Sequence, residues 1–368
     1  MTTVLTAGGY ATDVAALTRR RIEHEASADP RSPTAATETL TLRHREAMLT
    51  GGRPEDLLAL GAEADRAVGR FPAWPDLRLL RATVALALHQ PCVARATLAA
   101  VPGLTELPAG RVLAADLAQF CGDYRAAADG YRTAADGDPA WDTIDRLGAL
   151  AVATGRFEEA DDRYAAAEDE ITVKQLRSFA WVRVQRGDLA LALGDHDRAG
   201  RFFADADAAY GGWWYVAARE AALAAACGRP ADAAAGYRRV LAEVDRPEFR
   251  EALGTALAAA GEPDAAAAYH AAALAAYTRS AARGEVHYLH HLAAFYADVR
   301  PHARTALDWA QQDAALRRNG TTLSLLAWCQ YRVGWNAEAR ATLDEAFALG
   351  AGDPLLQARA QVIHGEDR

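Results

Sequence analysis

A glycine returns along this chain at a nearly constant interval. Gly52, Gly122, Gly155, Gly194, Gly228, Gly261 and Gly334 each close one helical pattern and open the next. With His89 and Arg300 counted as turns that lack the glycine, seven of the eight intervals measure 33, 34 or 39 residues. A fixed period in this range marks a stack of helical hairpins, in which each unit buries its apolar face on its neighbours. Such a stack escapes the size limit of a single core, which a chain of 368 residues would otherwise exceed. About a quarter of the residues are alanine, the strongest helix former, and no strand-hairpin signal stands out. The expected fold is all-α.

Each turn glycine serves as an origin for reading its neighbours. Around Gly155 stand Leu147 and Gly148 before the turn, then Ala160, Tyr164 and Ala167 after it. The same slots hold Gly187, Ala199, Phe203 and Ala206 around Gly194, and Ala221, Ala233, Tyr237 and Val240 around Gly228. Small residues at these positions let two helices cross closely, and the large residue fills the gap toward the next unit. The turn glycine accepts a left-handed backbone without a Cβ clash. Leu-Gly, a turn, then Ala, aromatic and Ala is a pattern that resembles the tetratricopeptide repeat, from roughly residue 74 to the end and more loosely from residue 35. The resemblance implies an α-solenoid wound into a right-handed superhelix. About eight to nine hairpins are expected over residues 34–368, after a partly mobile N-terminal helix or cap within residues 1–33.

Two intervals are overlong. Gly155 to Gly194 and Gly261 to Arg300 each span 39 residues, so extra length is expected near residues 168–180 and 275–286. The Arg300 unit also replaces its glycine turn with Val299-Arg300-Pro301. Residues 101–110 form a Pro/Gly-rich connector, and the first helix is expected from about Asp13 to Ala26.

The net charge of −9 argues against nucleic acid as the main partner, because phosphate backbones call for a basic footprint. Arg19-Arg20-Arg21 is the local exception and reads as a solvated helix face. Cys92, Cys121, Cys227 and Cys329 lack CxxC spacing and read as reduced structural thiols of a cytoplasmic protein, with Cys121 and Cys227 buried beside turn glycines. No apolar run of membrane-spanning length is present, and the first 14 residues show no secretory pattern. Lys174 is the sole lysine, and the wealth of Ala, Gly and Asp is the usage of a GC-rich bacterial genome. The usual signatures of hydrolases, kinases and dehydrogenases are missing, so an enzyme is the less favoured reading.

In tetratricopeptide arrays the first helix of each unit lines a concave groove, and the resemblance implies which slots face it. These hold Asp142 and Asp145, Trp181, Val184 and Asp188, Tyr215 and Ala218, Glu248, Glu251 and Thr255, His287 and His290, and finally Thr321, Ser324, Trp328 and Tyr331. The groove so read is acidic and aromatic. It lacks the Lys/Arg clamp with which some family members hold a chaperone's C-terminal carboxylate. The leading expectation is a scaffold or adaptor that binds a protein or peptide carrying basic residues, without a cofactor. The alternative takes His287, His290 and His291, spaced i, i+3, i+4 on one helix, together with Glu248 and Glu251 as ligands of one transition-metal ion such as iron, manganese or zinc, with Asp308 and His270 as outer candidates. Contact with a ligand, or hydrogen bonding within the fold, accounts for the same spacing. Trp213-Trp214 reads as packing, with one ring available for stacking.

Overall fold

The computed structural model describes residues 9–137 and 139–365; the first eight residues, and with them most of the stretch searched for a secretory pattern, lie outside. Among the described residues there are twenty α-helices, one short 3-10 segment and one π-helical segment, and no strand. The first helix runs Tyr10–Ser27, three residues earlier than the sequence suggested. All seven repeat glycines adopt positive φ, between 59° and 90°. His89 takes the same left-handed conformation with φ 58°, which is uncommon for a residue with a side chain. The Arg300 turn is built differently: Phe295–Val299 is π-helical, and Arg300 N–H donates to the Phe295 carbonyl at 2.9 Å.

The chain divides into two compact units, each assembled from two separate stretches. The first combines Met1–Val84 with Ile171–Ala266 and the second combines Ala85–Glu170 with Ala267–Arg368. A simple stack packs each hairpin on its sequence neighbours; here each unit also joins hairpins far apart in sequence. In the first unit Trp214 Nε1 donates to the Leu49 carbonyl at 2.9 Å, Tyr210 OH to Asp13 at 2.8 Å, and Arg246 Nη1 to the Gly51 carbonyl at 2.9 Å. Trp213 and Trp214 are both buried there, so the pair is packing and offers no open ring. In the second unit Asn319 Nδ2 donates to the Phe120 carbonyl at 2.8 Å, Gly320 N–H to Tyr124 OH at 2.7 Å, and Gly352 N–H to the Ala153 carbonyl at 2.9 Å. Apart from the Tyr210–Asp13 pair, these long-range bonds satisfy backbone groups near hairpin ends, the places where a helix leaves its own donors and acceptors unpaired.

Within a hairpin, the small-against-large register is visible atom by atom. A Cβ on Gly148 would lie 2.6 Å from Tyr164 Cε1, and one on Gly187 would lie 2.7 Å from Phe203 Cδ1. The large residue therefore packs onto the glycine of its own hairpin, where the sequence had directed it toward the next one. Phe203 is fully buried and has no room to retreat. Gly187→Ala is expected to cost about 1–3 kcal/mol through overpacking. Chemical denaturation measures this, and Phe203→Leu in the same chain should recover part of the loss.

The cysteines depart from expectation. Cys329 is buried, but Cys227 and Cys92 are exposed and Cys121 is intermediate. A position beside a turn glycine lies at the hairpin tip, where solvent reaches it. No helix among the described residues is long and apolar enough to cross a membrane.

Candidate functional site

Both overlong intervals lengthen a helix. Leu176–Ala192 has 17 residues and Pro263–Ala282 has 20, against 13 for Trp141–Ala153 and 14 for Pro230–Glu243. The first leads into an aromatic and charged surface of the first unit. The second leads into the histidine segment of the second unit.

In the first unit, Trp181 on Leu176–Ala192 and Tyr215 on Trp214–Ala226 stack with ring centroids 5.6 Å apart and planes 15° from parallel. Arg219, one turn beyond Tyr215, lies 4.9 Å over its ring and donates from Nη2 to the Tyr215 hydroxyl at 3.2 Å. Its Nε stands 3.1 Å from Asp188 Oδ2 but lacks hydrogen-bond geometry. Burial therefore dominates Asp188 and pushes its carboxyl up to about 6, with Arg219 offsetting only part. The implied groove slots thus give Trp181, Asp188 and Tyr215 as one half-buried array, while Val184 and Ala218 are core. Arg219, which completes the array, occupies no groove slot, and slot reading alone missed it.

Elsewhere the acidic slots also acquire arginines. Glu248 pairs with Arg246 at 2.5 Å, and Asp142 with Arg146 at 3.3 Å, while Asp145 is buried. Glu251 is intermediate and Thr255 exposed. In the second unit Trp328 and Tyr331 stack at 5.5 Å, and Trp328 Nε1 donates to Asp298 at 2.9 Å. Thr321 is exposed and Ser324 buried.

The histidine segment forms a buried polar network. Asp313 is 1% exposed and brings together His290 Nδ1 at 3.1 Å and Arg317 Nε at 3.4 Å. A carboxylate only accepts, so the His290 Nδ1 carries the proton. Burial alone would raise the Asp313 carboxyl; the His290 hydrogen bond and the Arg317 charge outweigh it and hold it below the usual range. Ser280 Oγ donates to Glu285 at 2.7 Å and so accepts from His287 Nε2 at 3.1 Å. His291 stacks on Tyr277 at 5.5 Å. The Arg317 guanidinium lies 4.6 Å over Phe120, and His89 packs 5.5 Å from the same ring. Burial, reinforced by Arg317, pushes the His89 imidazole down to about 3, against the pull of Asp313. His89 is therefore neutral at ordinary pH.

This network joins the His89 and Phe120 turns to Asp313 and Arg317, another long-range join within the second unit. Ser280, Asp313 and Arg317 escaped the sequence reading, but His89 carried a signal, being the turn that dispenses with glycine. Asp308 lies outside the network, exposed and 3.7 Å from Arg304, and His270 meets Phe295 edge-on. Glu248 and Glu251 belong to the first unit and the three histidines to the second. No group of three or more His, Cys, Asp or Glu side chains among the described residues is arranged to hold a metal ion.

No protein-family model and no curated protein matches the chain. Solved structures resemble it. A human IFIT1 dimer with PPP-AAAA aligns over 92% of this chain and 95% of its own, at 11% identity and TM-score 0.50. The APC/C hetero-tetramer Cut9-Hcn1 aligns over 89% of this chain and 63% of its own, at 14% identity and TM-score 0.50. A tetratricopeptide repeat protein from Parabacteroides merdae aligns over 65% and 92%, at 19% identity and TM-score 0.45. At these identities the likeness to the first two establishes the fold alone, an all-α array of tetratricopeptide-type hairpins.

Proposed function

We propose that this tetratricopeptide-type chain is a scaffold that binds a segment of a partner protein on the Trp181–Tyr215 surface of its first unit. The observation that carries the proposal is the stack itself. Two half-buried aromatic rings lie parallel on consecutive hairpins, with Arg219 and Asp188 beside them. Aromatic residues and arginine dominate binding energy at protein interfaces, and a preformed helical surface loses little entropy on association. The acidic excess of the chain and the partly compensated Asp188 favour a partner segment with Arg or Lys.

The test begins with a pull-down from the native host. A partner retained by the wild type and lost by Trp181→Ala, with circular dichroism unchanged, supports the reading; equal retention by both overturns it. The affinity should also follow the charge on Asp188. That carboxyl titrates near 6, so binding of a basic segment should strengthen as pH rises from 5 to 7 and weaken with added salt. Asp188→Asn should flatten the pH profile. Stability runs the other way. A carboxyl raised above its unfolded value contributes stability below about 3.9 that is lost as pH rises through about 6.

A further inference from the structure

We propose that a second site in the first unit, the cleft between Tyr10–Ser27, the end of Pro33–Leu49 and the start of Leu176–Ala192, binds a small organic phosphate. The cleft has a volume of about 440 Å³, within the range of small-molecule sites. Four cationic side chains line it: Arg20, Arg45, Lys174 and Arg177. The single carboxylate in the wall is Asp13, and it is engaged by the Tyr210 hydroxyl at 2.8 Å. Arg20 is paired with Glu38, which does not line the cleft, at 2.9 Å. No carboxylate among the described residues forms an ion pair with Arg45, Lys174 or Arg177. The cleft carries this surplus of positive charge in a chain whose net charge is −9.

Phosphate fits the surplus better than a single carboxylate does, because it brings up to two charges and three acceptor oxygens. The backbone adds to the side chains. Gln175, at the N-cap of Leu176–Ala192, does not cap that helix; its Oε1 accepts instead from the Thr172 N–H and hydroxyl, both at 2.9 Å. The first-turn N–H groups beside the cleft are left without a side-chain cap, and the positive end of a 17-residue helix favours an anion bound there. Leu17 and Leu49 give the wall an apolar part against which an organic body can rest.

The sequence already marked this place. Lys174, the sole lysine, and Gln175 lie in the first overlong interval, so the extra residues of that repeat furnish part of the wall. A regular 34-residue unit would lack them.

Titration calorimetry of the full chain with phenyl phosphate tests the proposal. One-to-one saturable binding is expected, weakened about tenfold or more in Arg45→Gln/Arg177→Gln and unchanged in the surface control Arg229→Gln. Benzoate should bind at least about tenfold more weakly than phenyl phosphate. Absence of saturation with the wild type, equal binding by the double variant, or equal binding of benzoate would overturn it. A short phosphotyrosine peptide that binds more tightly than phenyl phosphate would overturn the assignment to a small molecule. Trp181→Ala should leave the titration unaltered, which separates this site from the partner surface.

Discussion

Gly122→Ala should destabilise the protein by about 2–5 kcal/mol, while Gly228→Ala should cost about 1–2 kcal/mol. Both glycines sit at hairpin turns with left-handed backbone, at φ 90° and 69°. Adding a Cβ in that region costs roughly 1–2 kcal/mol at either site. The difference is in the surroundings. Nothing lies within 4 Å of a Cβ built on Gly228. On Gly122 the Cβ would run into the Arg318 carbonyl group, with the carbonyl carbon 3.1 Å away, and a backbone atom cannot rotate aside. Overpacking of that kind adds about 1–3 kcal/mol. The comparison therefore isolates the contact between chain segments nearly 200 residues apart, where Asn319 also bonds the Phe120 carbonyl. Urea unfolding of the two variants measures it; equal losses would mean that the Gly122 and Arg318 turns do not touch.

Asp313→Ala should cost about 3–5 kcal/mol, because it leaves the Arg317 guanidinium, 10% exposed, without its buried counter-charge. Asp313→Asn keeps the volume and one acceptor and should lose less. The pH dependence follows from the direction of the shift. A carboxyl held below its unfolded value contributes stability that is present above that value, about 3.9, and is lost as pH falls through the folded value. The gap between wild type and Asp313→Ala should hence narrow as pH drops below about 4. A gap that stays constant with pH would show that Asp313 acts by packing alone. His89, held down to about 3 in the fold, contributes stability that is present above its unfolded value of about 6.5 and is lost as pH falls from there toward 3.

The repeat was legible because each turn repeats one local need. A left-handed residue, a small residue and a large one recur in register, and all seven turn glycines show the conformation that their spacing implied. The overlong intervals were legible as extra length, and appear as two longer helices. The joins between distant hairpins were not. Trp214 bonding to Leu49, or Gly352 to Ala153, depends on how small rotations accumulate from unit to unit, and no single repeat records that sum. The candidate site was legible by halves for a related reason. Trp181 and Tyr215 come from the groove slots, whereas Arg219 reaches the stack by its length from a neighbouring position. The histidines were noticed for their spacing along one helix. Their partners Asp313 and Ser280 sit on other helices, and the carboxylates assigned beside them, Glu248 and Glu251, belong to the other compact unit.

The claim that the stacked rings of the first unit hold a partner is tested most directly by affinity. With the partner recovered from the native host, dissociation constants would be measured for the wild type, Trp181→Ala, Tyr215→Ala and Trp335→Ala. Trp335 is the control, a tryptophan 38% exposed in the second unit beneath Arg304. The account predicts a loss of about tenfold or more for the first two variants and little change for the third. Equal affinity across all four proteins, or a loss confined to Trp335→Ala, would contradict it.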